Sequence, residues 1–100
     1  MSGPRRLWVR IRRVEPDRLP GYREAVTEAG VTAAEIGAHF WVFQADGGEG
    51  RFVEFLEGPG DEVLAVLLEA TDESLHAAGG ESGTSDLQVG PGGLRCTEFA

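Results

Sequence analysis

The sequence predicts an α+β domain with an antiparallel four-stranded sheet and two helices on one face. Residues 7–14 alternate apolar with polar side chains, the period of a strand with one buried face. Two aromatic-rich runs flank the Gly-rich turn at 46–50, which indicates a β-hairpin. Apolar residues at helical spacing precede and follow the hairpin, so the predicted order is strand, helix, strand, strand, helix, strand.

The first half of the chain supplies one strand and one helix. Residues 1–6 lack a pattern and are predicted to form a loose terminus. After the strand at 7–14, Asp17 is a plausible N-cap. Gly30 is expected to end the first helix, and a second short helical turn is predicted over 32–36.

The second half supplies the hairpin, one helix and a last strand. The hairpin strands fall within 38–57, and Asp61 is expected to cap a helix that continues to residue 78. The small and polar residues of 79–93 predict a flexible loop, and 94–99 is expected to form the last strand. The whole chain, 1–100, is predicted to be a single domain.

Composition limits the kind of protein. The net charge of −8 argues against nucleic-acid binding, although seven of the nine Arg residues lie in the first 23 positions. No apolar run approaches the roughly 20 residues that span a bilayer, so no membrane contact is expected. A single cysteine excludes an internal disulfide and fits a reducing compartment. We therefore expect a cytoplasmic protein.

Alternation divides the sheet residues between two faces, and both are apolar enough to need a cover. The face predicted to lie under the helices carries Leu7, Val9, Ile11, Val53 and Phe55. A second subunit is the simplest cover for the other face, so a homodimer is predicted. The ligand-binding residues predicted on that other face are Trp8, Arg10, Arg12, Phe52 and Glu54. His39 and Trp41 join them if the strand within 38–45 turns that side to the partner, but its other side, with Phe40 and Val42, is equally apolar.

Glu54 is the most unusual of these residues because apolar neighbours surround it. Arg10 or Arg12 on the adjacent strand is expected to pair with it. The pair is either a structural ion pair or a group that orients a ligand in a pocket walled by Trp8 and Trp41. A paired Arg favours the ionised carboxylate, which argues against Glu54 as a general acid at neutral pH.

No motif assigns a catalytic residue, a cofactor or a metal. His39 and His76 are the only histidines and fall on different predicted elements, whereas a metal site needs three or four convergent ligands. Cys96 is expected to be an inert, buried thiol, and Tyr22 a core residue. We expect neither a metal nor a cofactor.

Residues 37–63, GAHFWVFQADGGEGRFVEFLEGPGDEV, together with the element order, resemble the dimeric α/β-barrel superfamily. The antibiotic-biosynthesis-monooxygenase-like domains within it look closest. The resemblance implies a ferredoxin-like βαββαβ fold and a dimer. Members include cofactor-free oxygenases of aromatic polyketides, haem-degrading enzymes, isomerases and small proteins without an assigned activity.

Three functions stay open at this point. The first is a small homodimeric domain that binds a small apolar or aromatic molecule between its sheet and the partner. The alternative is a cofactor-independent monooxygenase-like enzyme acting on an aromatic substrate. The third is a structural interaction module without a ligand.

Overall fold

The structure, a computed structural model, describes residues 5–46, 50–80 and 96–99. It confirms an α+β architecture of four antiparallel strands and two helices. The strands are β1 (Arg6–Arg13), β2 (His39–Ala45), β3 (Arg51–Gly58) and β4 (Cys96–Glu98). The helices are α1 (Leu19–Glu35), preceded by a 3₁₀ turn at Pro16–Arg18, and α2 (Asp61–Gly79).

The strand order is β1-β3-β2-β4. The predicted pairing of the first strand with the third is confirmed, with Arg10 opposite Glu54. The sequence placed those two strands at the centre, which requires the last strand beside β1. Instead β4 pairs with β2, where Phe43 lies opposite Glu98, so β1 stands at an edge of the described sheet.

Helix α1 runs without a break through Gly30, where the sequence predicted its end. A side chain at Gly30 would meet nothing within 4 Å, and buried residues before and after it hold the helix to the core. The helix ends instead at Glu35, and Gly37 follows shortly after with a φ of +74°, the left-handed conformation that favours glycine. Asp17 lies in the 3₁₀ turn and makes no cap, since the residue before α1 is Arg18.

Helix α2 is also one continuous element, and Gly60 takes the N-cap position predicted for Asp61. Thr71 does not begin a new helix, because it is buried and its hydroxyl donates to the Leu67 carbonyl at 2.7 Å. Gly79, predicted to open the flexible loop, is the last residue of α2 and is buried. The rest of that prediction, from 81 to 93, lies outside the described residues.

The N-terminal prediction is corrected at two positions. Arg6 opens β1, and Arg5 pairs with Glu57 on β3. Residues 1–4 lie outside the described range, as do residues 94 and 95 of the predicted last strand.

Both helices cover the sheet face that was predicted to be free of them. Tyr22 of α1 and Thr71 of α2 reach Glu54 and Arg10, which share one row of that face. The core between helices and sheet includes Phe40, Val42, Phe52, Leu56, Leu64, Leu67 and Leu75. The alternation was predicted correctly but the side was not, because Glu54, Tyr22 and Thr71 supply the partners with which both arginines can be buried under the helices.

The opposite side, here called the open face, is covered by no element among the described residues. Its apolar side chains are Leu7, Val9, Ile11, Trp41, Phe43, Val53 and Phe55. Leu7, Val9 and Trp41 are 57%, 42% and 41% exposed, respectively. The sheet therefore has one face in a core and one apolar face that the described chain leaves uncovered.

Within the described part of the chain, neither helix is long and apolar enough to cross a membrane.

Candidate functional site

The structure divides the predicted ligand residues between the two faces of the sheet. Trp8, Arg10, Arg12, Phe52 and Glu54 share the helix-covered side, whereas His39 and Trp41 lie on the open face. A single pocket walled by all of them is therefore not formed within one chain.

Glu54 is the centre of a buried ion network. Its side chain is fully buried, and each of its two oxygens accepts two hydrogen bonds. Oε1 accepts from Arg10 Nε at 2.9 Å and from Arg12 Nη2 at 3.4 Å. Oε2 accepts from Arg12 Nε at 2.8 Å and from the Tyr22 hydroxyl at 2.5 Å. The predicted pairing is confirmed, and both arginines take part in it.

Helix α2 and the residue after it supply further partners for both arginines. Arg10 Nη2 donates to the Thr71 hydroxyl at 3.2 Å, and Arg10 Nη1 lies 3.5 Å from the Asp72 carboxylate. Arg12 Nη1 donates to the carbonyl of Gly80, directly after the last residue of α2. Because carbonyl groups at a helix C-terminus carry partial negative charge, this contact also stabilises the guanidinium.

Tyr22 connects the same network to helix α1. Burial, and then the negative charge of Glu54, raise the pKa of the Tyr22 phenol above its ordinary range. Its ring packs against Phe52 and Phe99, with centroids 5.2 and 5.6 Å away. A neutral, hydrogen-bonded phenol under the helices acts as a core residue, as the sequence predicted.

This geometry favours the structural interpretation of the Arg–Glu pair. Both Glu54 oxygens are occupied by protein donors, and Arg12 is fully buried. A ligand would have to displace one of these bonds at the cost of an unpaired buried charge. The network joins β1, β3 and both helices and thereby fixes their mutual positions.

The remaining two residues on the helix side differ in exposure. Phe52 is 1% exposed and packs in the core, whereas Trp8 is 50% exposed at the edge strand. Trp8 lies in the row of Leu56, two residues from Arg10. Neither residue lies on the face that carries His39.

On the open face, His39 belongs to a second polar cluster. Its Nδ1 lies 2.9 Å from Glu57 Oε1, and Arg5 binds the same carboxylate through Nε and Nη2. The imidazole is parallel to the Trp41 indole, with an interplanar angle of 7° and centroids 5.4 Å apart. Hydrogen bonds from Arg5 and then His39 lower the pKa of Glu57 to about 2.

Sequence reasoning missed Arg5 and Glu57 as members of this cluster. The hairpin register was the available signal, because counting outward from the turn sets His39 opposite Glu57. Arg5 gave no signal, since it was assigned to a loose terminus. The row of Val9, Phe55 and Trp41 is apolar, and Phe43 and Phe55 make an edge-to-face contact at 5.7 Å. Charged residues lie beyond it, since Arg13 is opposite Arg51 and Glu98 is opposite Phe43.

Three surface clefts lie elsewhere. One of about 390 Å³ is lined by Val14, Pro16, Leu19, Gln44, Gly50 and Phe52. Another of about 390 Å³ lies beside Arg10, and a third of about 270 Å³ lies between Ile36 and α2. None of these three includes His39 or Trp41 in its lining.

The described residues contain no group of three or more His, Cys, Asp or Glu side chains that could hold a metal ion. His76 lies in the last turn of α2, where its position suits the helix dipole. Cys96 is a half-buried free thiol. Burial, and then the nearby Asp46 charge, raise its pKa, which disfavours the reactive thiolate.

Comparison with known proteins found no match to a family model, to a curated protein or to a solved structure.

Proposed function

We propose that the chain works as a homodimer whose open faces pack against each other, and that a small apolar or aromatic molecule binds between them beside His39 and Trp41. The observation that supports this proposal is the uncovered apolar face of the sheet. Two sheets facing each other in this way form the dimeric α/β barrel that the sequence resembles.

The open face is too apolar to suit permanent contact with water. It presents Val9, Phe55 and Trp41 in one row and Ile11 and Phe43 in the next, where Val53 between them is only 3% exposed. Contiguous apolar patches of this kind mark interaction sites. Antiparallel sheets pack face to face at about 10 Å, where side chains from both sides fill the gap.

Charge identifies a second copy as an occupant that this face can accept. Each chain carries a net charge of −8, so most pairs of surfaces on two copies repel each other. On the open face Glu57 is neutralised by Arg5, and the row of Val9, Phe55 and Trp41 contains no charge, whereas the row of Phe43 continues to Glu98 on β4. The open face is thus a surface by which two acidic chains can approach.

The proposed ligand site differs from the one predicted from the sequence. It keeps His39 and Trp41 and adds their open-face neighbours Val9 and Phe55. The buried network around Glu54 is left out because it lies on the other side of the sheet, under the helices. An aromatic molecule fits these side chains because flat rings gain offset or edge-to-face contacts with indole and phenyl groups.

Sedimentation equilibrium at micromolar concentration tests the dimer. The wild-type chain is expected to show twice the mass of one chain. Val9→Glu places a charge in the apolar row of Phe55 and Trp41 and is expected to give a monomer that remains folded, because Val9 is 42% exposed in the single chain.

Val31→Glu is the matched control. Val31 is exposed to a similar extent, 58%, but lies on helix α1 away from the sheet. This variant should remain a dimer. A wild-type monomer, or equal loss of the dimer in both variants, would contradict the proposal.

A structural interaction module is the second candidate. It is supported by the positions of the three described clefts, none of which reaches Trp41. A dimer whose Trp41 fluorescence is unchanged by a panel of small aromatic compounds would favour it over the ligand-binding domain. Trp8 lies on the other side of the sheet, and Trp8→Phe removes its contribution to the signal.

A further inference from the structure

The polar cluster at one end of the open face has the geometry of an oriented hydrogen-bond acceptor. It consists of Arg5, His39 and Glu57, with Trp41 parallel to the imidazole. Glu57 pairs with Arg5 in a two-point contact, so these two charges cancel. The cluster is therefore neutral when the imidazole is neutral.

The contact with Glu57 decides which nitrogen of His39 holds the proton. A neutral imidazole has one N–H donor and one acceptor nitrogen. A lone pair on Nδ1 would face the negative Oε1 at 2.9 Å, so Nδ1 must carry the hydrogen. The Arg5 Nη2 contact with the same Nδ1 is longer, at 3.4 Å, and does not reverse this assignment.

The other ring nitrogen, Nε2, is consequently the acceptor. A carboxylate that accepts the hydrogen bond from Nδ1–H fixes the orientation and the tautomer of an imidazole. Glu57 can do this over a wide pH range, because its pKa is lowered to about 2 and it stays ionised above that value. The orientation is fixed further by the parallel Trp41 ring.

We infer that His39 Nε2 accepts a hydrogen bond from the acidic hydroxyl of a phenol-class aromatic molecule bound beside Trp41 between the two sheets. This inference rests on the proposed function. In the limiting case the phenol proton moves to Nε2, which leaves a phenolate next to an imidazolium, and Glu57 stabilises the new positive charge. No bond other than O–H breaks and no other reactant is needed.

The chemistry of the cluster selects the phenol class. A charged ligand, whether a carboxylate or a cation, finds no net charge to pair with, because Arg5 and Glu57 neutralise each other. A neutral molecule with one good donor matches a neutral cluster with one acceptor. Its aromatic body matches Trp41 and Phe55.

The first experiment measures the tautomer without any ligand. In ¹⁵N-labelled protein, long-range ¹H–¹⁵N spectra above the pH of imidazole titration should show His39 with the proton on Nδ1. Glu57→Ala should shift His39 toward the Nε2–H form. The signals of His76, on α2, should be the same in the wild type and in this variant. An Nε2–H form of His39 in the wild type would overturn the inference.

The second experiment uses 4-nitrophenol, whose phenolate has its own visible absorption band. The wild-type dimer should bind it and increase the phenolate fraction at a fixed pH below the probe's own titration. His39→Gln should weaken binding about tenfold, the size of one lost hydrogen bond, and abolish the increase. His76→Gln is the matched control and should match the wild type.

Two results separate this inference from the proposal on which it depends. Equal binding by the wild type and His39→Gln, or no binding by an intact dimer, would overturn the role of His39 and leave the dimer standing. A monomer in sedimentation equilibrium would overturn the proposed function itself. Binding that depends on His39 but not on His76 supports the inference.

Discussion

At the residue scale, Glu54 shows how a charge can be buried in a small core. Removing a carboxylate from water costs several kcal/mol, and the cost is offset only when geometry and hydrogen bonds are good. Here both oxygens are bonded twice, to two guanidinium groups and a phenol. Arg10 and Arg12 have further partners on and after α2, so neither guanidinium depends on Glu54 alone.

A double-mutant cycle measures this network. Glu54→Leu should destabilise the chain by about 3–5 kcal/mol in urea unfolding, because it leaves two buried guanidinium groups without their common anion. Combining it with Arg12→Met should cost less than the sum of the single changes, with a coupling above about 1 kcal/mol. Arg10 keeps its partners Thr71 and Asp72 in the double variant.

The exposed pair Arg6–Asp61 is the control for that cycle. Its atoms approach to 3.1 Å, but both side chains are more than half exposed. Coupling of about 0–1 kcal/mol is expected there. A Glu54–Arg12 coupling no larger than this value would mean that burial adds nothing to the pair.

At the element scale, two glycines that look like helix breakers in the sequence lie within helices in the structure. Gly30 and Gly79 were both predicted to lie outside helices, and both lie inside them. A side chain at Gly30 has free space. A Cβ at Gly79 would lie 2.7 Å from Tyr22 Cδ1, 3.1 Å from Val14 Cγ2 and 3.3 Å from Arg12 Cδ. Gly79 therefore permits α2 to approach the buried network.

Alanine substitution should consequently have opposite effects at these two positions. Gly30→Ala should stabilise the chain by about 0.5–1 kcal/mol, the difference in helix propensity. Gly79→Ala should destabilise it by about 1–3 kcal/mol, because Tyr22 is held by its bond to Glu54 and cannot yield freely. Thermal unfolding of the two variants checks the signs. Stabilisation by Gly79→Ala would contradict the close packing at the end of α2.

The sequence was sufficient to predict strands and helices whose apolar residues recur with a regular period. It was insufficient for features that depend on contacts between residues far apart in the chain. Alternation on β1 and the Gly-rich turn gave the strands and the β1–β3 pairing. Which face the helices cover depends on whether Arg10 and Arg12 can be buried, and only the convergence of Glu54, Tyr22 and Thr71 makes that possible. The same limit applies to the candidate site, since His39 was predicted but its partner Arg5 was not.

At the scale of the whole molecule, the described chain has a core on one side of its sheet only. A domain of 100 residues buries only a modest core, so leaving an apolar face uncovered removes a large part of the apolar burial that could stabilise it. The chain's charge opposes any association between copies, since each carries a net −8. Association must then depend on apolar burial that exceeds the mutual repulsion of two acidic chains.

This balance predicts how salt affects the dimer. Added salt screens the repulsion between the two chains, while apolar burial persists, so the dissociation constant should fall severalfold between low ionic strength and about 0.5 M NaCl. Sodium chloride is the suitable salt, because sulfate would also strengthen apolar burial directly and obscure the comparison. Sedimentation equilibrium across the salt series gives the dissociation constant. Val9→Glu should remain monomeric throughout, because a dimer would have to bury the two added charges against each other.

An interface held mainly by ion pairs would behave in the opposite way and weaken as salt screens them. A dimer that dissociates on adding NaCl would therefore place the contact at charged surfaces, away from the row of Val9, Phe55 and Trp41.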